Sequence, residues 1–156
     1  DMLAKNPFGQ IPTLDIGSMV LRDSSAILVW LARTHGGEQW MPSNAEQEAI
    51  VNGWLHATAF ELRLGPYEAR LRKHYPSLCV AGDAVTQNTA RALSLFESRL
   101  QDREWLALDR PTVADIAAFP SLAHCGDGDV DLSEHRAIRS WLQRVRGLPG
   151  FVELLG

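Results

Sequence analysis

From residue 45 to residue 146 the apolar residues recur at intervals of three and four. That is the pattern of helices which each bury one face. Ala45 to about Tyr75 puts Ile50, Trp54, Ala57 and Phe60 or Glu61 on one side, and Gly65-Pro66 is expected to kink or break this helix. Asp83 to Asp102 carries Val85, Thr89, Leu93, Phe96 and Leu100 on one stripe. Thr112 to His124 forms a further helix, bent at Pro120. Glu134 to Arg146 carries Ile138, Trp141, Leu142 and Val145. Gly147 and Pro149 end it, and Phe151 to Leu155 is a short apolar tail.

Ahead of residue 36 the character differs. Ile11 to Asp15 and Met19 to Leu21 are short apolar runs joined by a Gly17-Ser18 turn, which reads as a β-hairpin. Asp23-Ser24-Ser25 supplies helix-capping chemistry for a helix from Ala26 to about His35, which Gly36-Gly37 stops. Glu38 to Asn44 reads as a linker. The expected organisation is 1–36, a linker at 37–44, and an all-α unit at 45–156.

Composition narrows the function classes. The chain has 156 residues, and its 15 basic against 19 acidic side chains leave a net charge of −4. An acidic chain argues against nucleic acid and anionic membrane as partners. No run of 18 apolar residues occurs, so no transmembrane helix is expected. Cys79 and Cys125 lie far apart without a C-x-x-C pattern, which reads as two free thiols in a reducing cytoplasm.

Three segments carry candidate chemistry. In Asn6-Pro7-Phe8-Gly9-Gln10-Ile11-Pro12-Thr13-Leu14, Pro12 suits a strand start or edge. If the Ile11–Pro12 bond is cis, the Ile11 N–H and C=O are free to pair with an extended peptide. The other reading is an ordinary loop entering a hairpin. In Leu21-Arg22-Asp23-Ser24-Ser25-Ala26-Ile27, the cap also makes an anion site from helix N–H groups and a hydroxyl, with Asp23 able to accept from an ammonium. Such a pair suits the α-amino acid end of a ligand. In Arg110-Pro111-Thr112-Val113-Ala114-Asp115-Ile116, Thr112 and Asp115 have capping-box spacing, a folding role.

Other patterns fail. Asp127-Gly128-Asp129-Val130-Asp131 starts like a calcium loop, but Leu132 and Ile138 stand where Gly and Glu are needed, leaving a polar loop. His124-Cys125 lacks a second ligand pair, so no metal is expected. Arg70-Leu71-Arg72-Lys73-His74 reads as a solvated helix face. Trp30, Trp40, Trp54, Trp105 and Trp141 read mainly as core.

Taken in this order, the motifs resemble the cytosolic glutathione transferases, most closely bacterial members. The resemblance rests on Asn6-Pro7-Phe8-Gly9-Gln10-Ile11-Pro12, on Leu21-Arg22-Asp23-Ser24-Ser25-Ala26-Ile27-Leu28-Val29-Trp30-Leu31-Ala32, and on Glu104-Trp105-Leu106 with Arg110-Pro111-Thr112-Val113-Ala114-Asp115-Ile116-Ala117. Ile138-Arg139-Ser140-Trp141-Leu142 and Leu148-Pro149-Gly150-Phe151 also match the family's last helices. It implies a mainly α fold. An all-α C-terminal domain would join the hairpin-and-helix half of a thioredoxin-like domain. It also implies glutathione as co-substrate, a small electrophile as second substrate and a cytoplasmic homodimer.

Carried over by resemblance, Pro12 matches the family's cis-proline and Ile11 the residue whose backbone pairs with the cysteinyl part of glutathione. Asp23 and Ser24 match the acidic-Ser pair that holds the γ-glutamyl end, with Gln10 as a further contact. Phe60, Leu64 and Tyr67 would line the electrophile pocket, and Thr112 and Asp115 match the family's folding cap. The sulfur-activating Ser, Tyr or Cys is expected in a strand–helix–strand unit preceding Asn6, which needs about 30 residues. Only five precede it. The expected activity is therefore glutathione conjugation by a fragment or truncated form. The alternative is a non-catalytic glutathione-binding or all-α interaction module.

Overall fold

The computed structural model describes residues 2–78 and 82–153. The chain opens with one helical turn, α1 (Met2–Lys5), followed by an antiparallel hairpin of β1 (Thr13–Asp15) and β2 (Val20–Arg22). The register pairs Thr13 with Arg22, Leu14 with Leu21 and Asp15 with Val20. β1 is shorter than its apolar run suggests and β2 lies one residue later than expected, and Ile11 and Pro12 stay outside the ladder. In the turn, Gly17 adopts φ +82° and its N–H donates to Asp15 Oδ1 at 2.9 Å. That backbone region is cheap only for glycine. Lys5 Nζ reaches Asp15 Oδ2 at 2.7 Å and Arg22 Nε donates to the Lys5 carbonyl at 2.8 Å. These contacts tie α1 to the hairpin.

The rest is helical. Helix α2 (Ser24–Leu31) continues in wider, π-type turns over Ala32–Gly36. Helix α3 (Ala45–Ala57) passes into a second wide-turn segment, Thr58–Tyr67, and then into α4 (Glu68–His74). Helices α5 (Gly82–Gln101), α6 (Val113–Ala123) and α7 (Arg136–Arg146) complete the bundle. The expected break falls at Gly65, whose φ and ψ are both −105°. Gly65 also lets the chain pass close to α5, since a Cβ there would sit 2.9 Å from Thr89 Cα. Helix α6 runs on through the exposed Pro120.

The buried stripe of α3 is one residue away from the expected one. Val51, Leu55, Thr58 and Leu62 are buried, whereas Ile50 and Phe60 are exposed. The two stripes sit side by side on one helix, and local spacing fits both. Packing against α5 and α6 selects the stripe that carries Leu62. The wide turns after Ala57 then rotate Phe60 away from it. Trp54 lies between the stripes, half-buried and in contact with both halves of the core. Its ring meets Phe96 edge-on at 5.5 Å, and the Arg99 guanidinium lies 5.2 Å from its centre.

Glu38–Asn44 is not a loose connector. Met41 and Pro42 are buried, and Met41 joins Ala32, Val51, Leu55, Val113 and Ala114 in one apolar cluster. The Trp40 carbonyl accepts from Val113 N–H at 3.0 Å. Arg110 donates to the Gln39 and Glu38 carbonyls, the latter at 3.0 Å. The linker thereby fixes α2 against α6.

Two motifs read separately from the sequence meet in space. Arg70 pairs with Asp127 at 3.2 Å and Lys73 with Asp129 at 2.5 Å. So the basic stretch of α4 holds the acidic loop rather than facing solvent alone. Gly128 permits the approach, because a Cβ there would lie 2.4 Å from Arg70 N. Trp105 and Trp141 are core residues as expected, with Trp141 fully buried. Phe151 packs edge-on against Phe119 at 5.3 Å, while Leu154 and Leu155 of the apolar tail lie outside the described residues.

Candidate functional site

The loop before β1 is wound around Asn6, which is 2% exposed. Asn6 Nδ2 donates to the Gln10 carbonyl at 2.6 Å and to Thr13 Oγ1 at 3.3 Å, and its Oδ1 accepts from Phe8 N–H at 3.1 Å. Its carbonyl accepts from Gly9 N–H at 3.0 Å, and Gly9 takes φ +65°. An Asn before Pro is a turn signal with exactly this side-chain-to-backbone chemistry. The Asn6-Pro7 turn signal is present in the sequence, but the burial of Asn6 is not legible there.

This loop delivers Ile11 and Pro12 to the end of the hairpin. The peptide bond between them is cis. Ile11 is 82% exposed, and its N–H and C=O have no hydrogen-bond partner among the described residues. Gln10 spends its carbonyl on Asn6 and keeps an exposed side chain. One step beyond the Thr13–Arg22 pair stand Pro12 on one strand and Asp23 on the other. The hairpin register therefore brings Ile11-Pro12 and Asp23-Ser24 to the same end.

At that end Asp23 caps α2. Its Oδ1 accepts from Ser25 N–H at 2.8 Å and Ala26 N–H at 3.2 Å. Asp23 takes φ +76°, uncommon for a residue with a Cβ. Backbone strain of that kind gathers at functional sites. Because Asp23 does the capping, the exposed Ser24 hydroxyl and Asp23 Oδ2 have no partner among the described residues. A helix N-terminus with an outward hydroxyl suits a carboxylate, and a free carboxylate oxygen beside it suits an ammonium.

Phe60, Leu64 and Tyr67 all lie on the wide-turn segment and are exposed at 58%, 36% and 40%. The Arg63 guanidinium covers the Tyr67 ring at 4.7 Å. No hydrogen bond or ring contact joins these residues to the hairpin among the described residues.

Thr112 and Asp115 form the expected capping box, and Asp115 does more than that. It is fully buried. Its Oδ2 accepts from Thr112 N–H at 2.9 Å and Thr112 Oγ1 at 3.3 Å. Its Oδ1 accepts from Leu106 N–H at 3.0 Å and Trp141 Nε1 at 2.9 Å. One carboxylate thus joins the start of α6, the 104–106 loop and α7. Burial pushes the Asp115 carboxyl above the ordinary value, and these hydrogen bonds oppose it without cancelling it. Cys125 is 2% exposed, and burial pushes its thiol up to about 11. Cys79 lies outside the described residues. Among the described residues no group of three or more His, Cys, Asp or Glu is placed to hold a metal ion, and no helix is long and apolar enough to cross a membrane.

The described residues thus form a helical bundle joined to a hairpin-and-helix unit, with the Ile11 backbone groups and the Ser24 hydroxyl at one end of the hairpin. Comparison with known proteins agrees. The glutathione S-transferase N-terminal domain model matches residues 1–39 and the C-terminal domain model residues 81–149. Glutathione S-transferase D7 of Anopheles gambiae is 31% identical over 151 residues, covering 94% of this chain and 67% of that protein. A crystal structure of a glutathione S-transferase from Xanthobacter autotrophicus superposes with a TM-score of 0.86 at 30% identity, covering 97% of this chain and 75% of that one. One from Pseudomonas fluorescens gives 0.84 at 28%, covering 99% and 78%. The chain belongs to the glutathione S-transferase family. Its fold is mainly α, an all-α C-terminal domain with part of a thioredoxin-like domain. It spans 57–67% of the length of the first curated relatives it matches.

Proposed function

We propose that this chain carries the glutathione-holding and electrophile-facing parts of a glutathione transferase, which joins the glutathione thiolate to a small electrophile. The Ile11 N–H and C=O pair with the cysteinyl segment of the tripeptide, a one-residue strand addition. The Ser24 hydroxyl and the α2 N-terminus hold the γ-glutamyl carboxylate, and Asp23 Oδ2 accepts from its ammonium. The Gln10 side chain borders the same end. Phe60, Leu64 and Tyr67 offer apolar surface to the electrophile. Working as a homodimer in the cytoplasm, with 1–36 and 45–156 as its two units and 37–44 between them, completes the reading. Its chief support is the pair of Ile11 backbone groups left outside the ladder, at the hairpin end where Ser24 stands unpartnered. Cys125 is not the source of sulfur activation, because a buried thiol that stays protonated is a poor nucleophile.

Calorimetric titration with glutathione tests this. Ser24→Ala removes one hydrogen bond to a charged group and should weaken binding about tenfold to a hundredfold. Its melting temperature should stay that of the parent, since Asp23 and not Ser24 caps α2. A parent chain that fails to bind glutathione at millimolar concentration refutes the proposal. Binding without conjugation of a chromogenic aryl halide would reduce the chain to a binding module.

A further inference from the structure

Helix α7 carries Arg136, Arg139, Arg144 and Arg146 and no acidic residue, in a chain of net charge −4. Residues 136, 139, 143 and 146 recur at three- and four-residue steps and so share one face. A groove of about 630 Å³ runs along that face. Arg136, Arg139, Ser140, Gln143 and Arg146 line it, Leu132 and Leu142 also contribute to its wall, and no carboxylate does. Arg146 is held in place: its guanidinium lies 5.4 Å from the centre of the Phe119 ring, and its Nε donates to Glu153 Oε2 at 3.2 Å. Arg136 and Arg139 have no ion-pair partner among the described residues.

Two nearby carboxylates, Glu97 and Asp131, are already engaged, while Asp102, Glu104 and Glu134 line the adjacent cleft and not this groove. Glu97 lines the adjacent cleft, which shares Arg136 and Ser140 with this groove. Both its oxygens accept from the α7 N-terminus, from Ala137 N–H at 2.9 Å and Ile138 N–H at 3.0 Å. Asp131, which senses the charge of Arg139, accepts from the Ser133 hydroxyl and N–H. Arg146 is paired with Glu153, whereas Arg136 and Arg139 are not ion-paired among the described residues, so the groove keeps a surplus of positive charge. Each guanidinium presents a planar fork of donors that fits two oxygens of a phosphate, and the Ser140 hydroxyl and Gln143 amide add donors between them.

We propose that the α7 groove binds a soluble phosphate-bearing anion carrying two or more charges. A groove of this volume accepts an organic phosphate up to the size of a nucleotide. The site is independent of the glutathione site, because it lies on α7 while that site lies at the hairpin end and the start of α2.

Inorganic pyrophosphate is the probe, titrated into the chain by calorimetry at low and moderate salt. Arg136→Gln/Arg139→Gln should weaken its binding about tenfold or more, since two of three lining guanidiniums are lost. The control is Lys73→Gln/Arg91→Gln, which changes net charge equally at residues paired with Asp129 and Glu61. The control should bind pyrophosphate as the parent does, and glutathione binding should be unchanged in the groove variant. Equal loss in both double variants means diffuse charge attraction and overturns the proposal. So does the absence of binding to the parent at millimolar pyrophosphate. Binding only to vesicles of phosphatidylcholine with phosphatidic acid, with none to pyrophosphate, overturns it in favour of a lipid headgroup site.

Discussion

Asp115 is the residue whose loss the structure makes most expensive. In Asp115→Ala the N–H groups of Leu106, Thr112 and the Trp141 indole lose their acceptor together, at positions sealed from water. Each buried donor left unsatisfied costs about 1–3 kcal/mol. The three share one acceptor, so their costs do not simply add. A loss of about 4 kcal/mol is expected, a large part of the ~5–15 kcal/mol that holds a typical domain together. Asp115→Asn separates the two oxygens. The amide keeps Oδ1 for Leu106 and Trp141 but turns an NH₂ toward Thr112 N–H, where the carboxylate accepted at 2.9 Å. It loses both Thr112 bonds to Oδ2 and sets a donor against the Thr112 N–H, yet it buries no charge. A cost of about 1–3 kcal/mol follows, smaller than for Ala.

The sign of the pH effect follows from the raised Asp115 pKa. The folded chain holds that proton more tightly than the unfolded chain. Its contribution is greatest below the unfolded value of 3.8 and falls as pH rises through the folded one. Asp115→Asn has no such proton. The stability of the parent relative to Asp115→Asn should therefore fall as pH rises from below 3.8 toward neutrality. Urea unfolding followed by far-ultraviolet circular dichroism and tryptophan fluorescence measures all of this, provided the m-values agree. An Asp115→Ala chain within about 1 kcal/mol of the parent would refute the idea that one carboxylate carries three buried N–H donors.

Other perturbations are as specific. Asn6→Ala should cost about 1–2 kcal/mol and weaken glutathione binding more than stability, because Asn6 shapes the loop that presents Ile11. Melting curves alongside titration separate the two effects. Gly128→Ala forces a Cβ to within 2.4 Å of Arg70 N, so α4 and the 125–128 turn have to separate. About 2 kcal/mol or more should be lost, read by urea unfolding. The Cys125 thiol, held protonated in the fold up to about 11, should resist iodoacetamide at pH 8 until urea unfolds the chain. Its contribution to stability is present below the ordinary thiol value near 9.0 and is lost as pH rises toward about 11. Alkylation at pH 8 of the folded chain, found at Cys125 by peptide mass, would contradict this.

Signals within a few residues of one another were legible in the chain itself. The Thr112–Asp115 box, the Gly65-Pro66 break, the Gly17 turn, the α7 stripe and the family resemblance carried by residues 6–12 and 21–32 all depend on local backbone chemistry. That chemistry is the same wherever the segment ends up. The tertiary structure decided what local spacing leaves degenerate. Two adjacent stripes on α3 are both helical, and only packing against α5 and α6 chose Val51-Leu55-Thr58-Leu62 over the one with Ile50 and Phe60. Asp115 advertised its partner three residues back but not Leu106 or Trp141, nine and 26 residues on either side. Nor could spacing reveal that Asp23 takes the cap and leaves Ser24 free beside Ile11, or that the basic run of α4 meets the acidic loop. Such pairings form only when distant segments are brought together, and the direction of each side chain then depends on the whole core.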